Sequence, residues 1–150
     1  MNERQLKALK GAKTWNMVLL VFTAIGVVLS LIGLPSTLNP IRENYELLGA
    51  PGLEMYEMIN TPFFKGYTLL SIVISIILLV LYIKAHITIK KENVPSDFPY
   101  FLNIGAQLIG LIVSFFTGSQ TFILTIILTV ISCILPTLAL INLSKVESNK

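Results

Sequence analysis

The sequence predicts an all-α membrane protein. The expected fold is a bundle of four transmembrane helices with both termini inside the cell and short amphipathic helices in the first extracellular loop. Two observations carry that expectation. The 150-residue chain is 54% hydrophobic and only 13% charged, where a water-soluble domain carries about 25% charge. The missing charge is concentrated in four apolar runs, each near the roughly 20 helical residues that cross a hydrocarbon core of about 30 Å. A soluble protein built on four such helices would lack the polar surface to stay in water. The whole length, 1–150, reads as a single transmembrane domain.

The first run, residues 15–34, follows a basic segment holding Arg4, Lys7, Lys10 and Lys13. It is too long for a signal-peptide core, and no small-residue cleavage site follows it, so it reads as a retained anchor that Pro35 ends. The second span covers residues 63–89, with Thr61 as N-cap and Pro62 at the first helical position. A polar connector precedes the third span, 99–117. Gly118 and Ser119 make a minimal turn into the fourth, 120–143, where Pro136 should kink the helix.

Orientation follows from basic residues in short loops. Nine Lys and Arg flank the termini and the 84–98 region, against Arg42 and Lys65 in the 35–66 segment. That asymmetry predicts a multi-pass plasma-membrane protein with cytoplasmic termini. Trp15, Tyr67, Tyr82 and Tyr100 fall near span ends, where amphipathic rings favour the headgroup layer.

The extracellular loop, 35–62, has helix signals of its own. Asn39-Pro40 reads as a helix start and Gly49-Ala50-Pro51-Gly52 as a break. Ile41, Tyr45 and Leu48 share one face; Leu53, Tyr56 and Ile59 share another, opposite Glu54 and Glu57. Tyr45, Glu54, Tyr56 and Glu57 form the candidate interaction surface. Arg42 and Lys65 against Glu43, Glu46, Glu54 and Glu57 give this region an acidic excess, which suits a cationic extracellular peptide. An ordinary connector resting its apolar side chains on the bundle explains the same pattern.

Within the spans, small residues recur at spacings of three and four. Gly26, Ser30 and Gly33 lie on the first; Ala106, Gly110, Ser114 and Gly118 lie on the third. Such faces let helix backbones approach in lipid, so they are candidate packing residues, within the bundle or against another membrane protein or a second copy. Hydroxyl stripes on the second span (Thr68, Ser71, Ser75) and the fourth (Thr121, Thr125, Thr129, Ser132) have the same spacing. Asn103 and Gln107, one turn apart on the third, are the candidate polar residues inside the membrane.

The chemistry that would mark an enzyme or a pump is missing from the sequence. No Asp, Glu, Lys or Arg occupies the middle of a span, whereas proton relays depend on such groups. Transporters of the small multidrug resistance family rely on a glutamate in the first helix, which this one lacks. Disulfide-forming four-helix enzymes need paired cysteines, and Cys133 is single. His86 has no second ligand at metal spacing. No catalytic residue, metal site or cofactor is expected, and the basic residues form no nucleic-acid stripe. The expected role is that of a non-enzymatic accessory subunit, regulator or immunity-type protein; the alternative is one subunit of an oligomeric channel or transporter.

Overall fold

The computed structural model describes residues 3–116 and 122–147. The elements are α1 (Glu3–Leu38), α2 (Arg42–Glu46), α3 (Ala50–Ile59), α4 (Pro62–Lys90), α5 (Phe98–Phe116) and α6 (Phe122–Glu147). Four of them are long and apolar enough to cross a membrane. Phe22, Ile32, Leu70, Phe101, Ile112 and Val130 are all exposed on them. Water would penalise so much apolar surface; hydrocarbon does not. The chain is thus a helical protein for a lipid bilayer, with four candidate spans. Gly118, the Gly118-Ser119 turn and Thr121 lie outside the described residues.

Several boundaries differ from the sequence expectation. α1 begins at Glu3, so the basic segment continues the helix of the first span. Pro35 does not end it; it sits inside, near the C-terminus. Proline removes the bond that its own N–H would make to the Leu31 carbonyl. Ser36 Oγ and Thr37 Oγ1 both donate to the Gly33 carbonyl, at 2.8 and 3.1 Å. Pro136 lies within α6, inside the fourth span as expected. The N-cap of α4 is as expected: the Phe64 N–H donates to Thr61 Oγ1 at 3.2 Å. In the connector, Ile41 rather than Asn39 caps α2, and Gly49 caps α3 with φ 70°. The Gly-Ala-Pro-Gly cluster therefore starts a helix as well as ending one, with Pro51 in the first turn, where its missing N–H has no intrahelical role.

The chain divides into two compact units, Met1–Ala24 with Ile77–Lys150, and Ile25–Ile76. The boundaries fall inside α1 and α4. In the first unit the buried positions repeat at three and four residues. Gln5, Ala8, Ala12, Asn16 and Leu19 line α1, while Leu78, Tyr82, Ala85 and Ile89 line α4. Tyr100 and Asn103 serve α5, and Thr129, Pro136, Ala139, Leu143 and Val146 serve α6. These faces meet at the end of the unit that carries the termini. Gln5 Nε2 donates to the Val146 carbonyl at 3.1 Å, so α1 starts where α6 finishes. Gly11 makes room there: a Cβ on it would stand 2.6 Å from Asn142 Oδ1.

The second unit contains the α2–α3 hairpin. The rings of Tyr45 and Tyr56 lie 5.8 Å apart, tilted by 55°. Gly52 is buried against the Tyr45 carbonyl, and a Cβ there would overlap that backbone and stand 2.7 Å from Leu48 Cβ.

Candidate functional site

The first unit holds a buried polar network. Asn16 is fully buried on α1. Its Nδ2 donates to the Tyr82 backbone carbonyl at 3.0 Å, and its Oδ1 accepts the Tyr100 hydroxyl at 2.9 Å. Asn103 Nδ2 donates to the Tyr82 hydroxyl at 2.7 Å. The two tyrosine rings stack at 5.8 Å with a 42° tilt. Three helices are thereby tied through side chains whose polar atoms would be costly in hydrocarbon without partners. Tyr82 and Tyr100, expected near span ends, are both buried within the protein, and each hydroxyl has an internal partner. Asn103 therefore acts as a packing residue of this network.

Gln107 differs. It is the middle residue of α5 and half-buried. Among the described residues no hydrogen bond joins its carboxamide. One turn away Asn103 is supplied by Tyr82; Gln107 has no counterpart. It lies on the α5 face shared by Gly110 and Ser114, both half-buried, beside half-buried Ala106. Ser114 Oγ approaches Thr125 Oγ1 of α6 at 3.4 Å, a long contact. The core is tight at Tyr100 and Asn103 and thins toward this half of α5.

The other small-residue positions have a different setting. Gly26 and Ser30 are exposed, and a Cβ on Gly26 would meet nothing within 4 Å. Gly33 is half-buried with equally open space. These residues were expected on a packing face; the buried residue of that stretch is Val27. The hydroxyls of α4 bond their own helix: Ser71 Oγ donates to the Thr68 carbonyl at 2.9 Å and Ser75 Oγ to the Ser71 carbonyl at 2.8 Å. Hydroxyls in helices satisfy themselves in this way without a neighbour, so spacing alone does not reveal a contact.

On the α2–α3 hairpin, Tyr45 and Tyr56 are half-buried against each other, while Glu54 and Glu57 point outward. Leu47 is 88% exposed, and Leu48 and Met55 are exposed as well. Arg42 pairs with Glu46 at 2.9 Å on the surface. His86 is half-buried, and its buried Nδ1 has no hydrogen-bond partner among the described residues. No group of three metal-ligating side chains converges among those residues.

Sequence reasoning passed over Asn16, Gly11, Gln5 and Asn142. The available signal was a lone amide one residue into an apolar run, at Asn16, and a glycine within a basic helical segment, at Gly11. Fold and site together define an all-helical protein with four candidate membrane spans, whose first unit holds a buried Asn–Tyr network. Compared with known proteins, the chain matches no family, no curated sequence and no solved structure.

Proposed function

We propose that this protein is a non-enzymatic membrane component that works by binding another transmembrane helix along α5 at Ala106, Gln107 and Gly110. Its role on this reading is that of an accessory subunit, a regulator or an immunity-type protein, held in the plasma membrane with both termini cytoplasmic. The observation that carries it is the Gln107 carboxamide. The middle of a 19-residue span sits near the centre of the hydrocarbon, where no water supplies a missing bond. An amide without a partner there costs roughly 1–3 kcal/mol on mutational scales. A partner helix with a polar group at that depth removes the cost, and the small neighbours of Gln107 allow close approach. The basic-residue asymmetry, nine against two, supports the orientation.

The test is recovery of complexes from mild detergent after cross-linking through position 107. The wild type should retain a stoichiometric membrane partner, and Gln107→Leu should lose it while remaining folded. Unchanged recovery in the variant would remove α5 from consideration. A homo-oligomer that leaks ions from liposomes would instead favour a channel subunit.

A second reading rests on the hairpin. Leu47, Leu48 and Met55 are exposed beside Glu43, Glu46, Glu54 and Glu57, a surface that suits a cationic amphipathic peptide. Replacing Glu54 and Glu57 together by Gln should then weaken peptide binding and its salt dependence without altering the amount of protein.

A further inference from the structure

Where the first unit brings α1 beside the end of α4, a cleft of about 120 Å³ opens, lined by Leu6, Leu9, Lys10, Lys13, Ile89, Lys90 and Glu92. Leu9 and Ile89 are almost completely buried and form its floor. Lys10 and Lys13 stand one turn apart on α1; Lys90 closes α4. Among the described residues none of these three ammonium groups, nor the Glu92 carboxylate, has a hydrogen-bond or ion-pair partner. Three ammonium groups against one carboxylate leave the cleft with an excess of positive charge that an anion would offset.

Glu92 adds a second, independent feature. α4 ends in a Schellman motif: the Asn93 N–H donates to the Thr88 carbonyl at 3.2 Å and the Glu92 N–H to the Ile89 carbonyl at 2.9 Å. The left-handed position of that motif usually holds glycine. Here Glu92 occupies it with φ 57°, the one non-glycine residue so placed among those described. The strained backbone sets a carboxylate at the rim of a basic cleft, and strain kept at such a place points to a use for the side chain.

Depth and flanks indicate the ligand. Lys13 and Lys10 precede Trp15, the start of the apolar run, by two and five residues, which is about 3 and 7.5 Å along a helix. That matches the headgroup layer, about 5–7 Å thick on each side. Below Lys13 on the same face of α1 lie exposed Met17 and Val21; below Lys90 on α4 lie exposed Ile87, Ile83 and Val80. Acyl chains find an apolar track beneath the cations, which a free phosphate would not need. We propose that this cleft binds the headgroup of an anionic glycerophospholipid, with Lys10, Lys13 and Lys90 holding the phosphodiester and Glu92 accepting a hydrogen bond from a headgroup hydroxyl. The site is separate from the α5 contact, and either can hold without the other.

The experiment titrates the purified full chain in neutral detergent with phosphatidylglycerol, phosphatidic acid, phosphatidylcholine or inorganic phosphate. Thermal unfolding and retained lipid by native mass spectrometry are followed together. Phosphatidylglycerol should bind at least tenfold more tightly than phosphatidylcholine, and each change of Lys10, Lys13 or Lys90 to Gln should weaken it about fivefold. Lys84→Gln and Lys91→Gln, exposed outside the cleft, should leave binding unchanged. Glu92→Gln should narrow the preference for phosphatidylglycerol over phosphatidic acid, which has no headgroup hydroxyl. Equal losses from Lys84→Gln or Lys91→Gln would reduce the effect to general surface charge and overturn the site. Stabilisation by inorganic phosphate at the same concentration would overturn its assignment to a lipid. Unfolding midpoints without lipid identify any variant that is misfolded, and the remaining two lysine variants then decide.

Discussion

The Tyr100 hydroxyl donates to Asn16 Oδ1 at 2.9 Å, joining residues 84 apart in the chain. The same Asn16 side chain donates to the Tyr82 backbone, so one carboxamide holds α1 against α4 and α5. Removing one bond should cost less than removing the amide. Tyr100→Phe should destabilise by about 0.5–1.5 kcal/mol. Asn16→Leu should cost about 1–3 kcal/mol, because it leaves the Tyr100 hydroxyl unpaired and breaks the bond to Tyr82. Unfolding by denaturing detergent in mixed micelles measures both; an Asn16→Leu variant no weaker than Tyr100→Phe would show that the amide is not the hub.

Gly11 sets the approach of α1 to α6. In Gly11→Ala the gain in helix propensity, about 1 kcal/mol, opposes displacement of the Asn142 carboxamide, which is the end of a flexible side chain. The net change should be within about 1 kcal/mol of zero. Gly11→Leu has no such escape and should cost about 1–3 kcal/mol. Equal midpoints for the two variants would mean that the helices separate freely at this point.

Glu92 carries left-handed strain, so Glu92→Gly should stabilise the chain by about 1 kcal/mol while lowering discrimination between phosphatidylglycerol and phosphatidic acid. Differential scanning fluorimetry reads the first effect and native mass spectrometry the second. A loss of stability would show that the carboxylate contributes more than the backbone strain costs.

Gln107→Leu should raise the unfolding midpoint of the isolated protein by about 1 kcal/mol equivalent, since an apolar side chain replaces an amide without a partner at mid-membrane. In the presence of its partner the same variant should be the weaker one. A loss of stability in the isolated protein would contradict an unpartnered amide.

Gly52→Ala should open the α2–α3 hairpin, because the new methyl group meets the Tyr45 carbonyl, which is backbone and cannot turn aside. Protease cleavage after Arg42 should become faster. Unchanged cleavage would mean that the hairpin accommodates the group by shifting as a body.

The sequence by itself determined four long apolar helices and the N-cap at Thr61, because hydrophobic run length and capping chemistry are local properties. It located Asn103 and Gln107 and the apolar faces of the connector, yet could not separate a bonded amide from an unpartnered one. Only the tertiary structure decided that Asn103 is satisfied by Tyr82 while Gln107 has no bond among the described residues. It also decided that Gly11, rather than Gly26, stands at a close approach. It joined Tyr82 and Tyr100 to internal partners and carried Pro35 inside α1. The physical reason is common to all of these. In lipid the apolar residues are content on any face, so periodicity alone marks no inside; the faces that meet are chosen by polar groups finding partners across helices, and those partners lie tens of residues away in sequence.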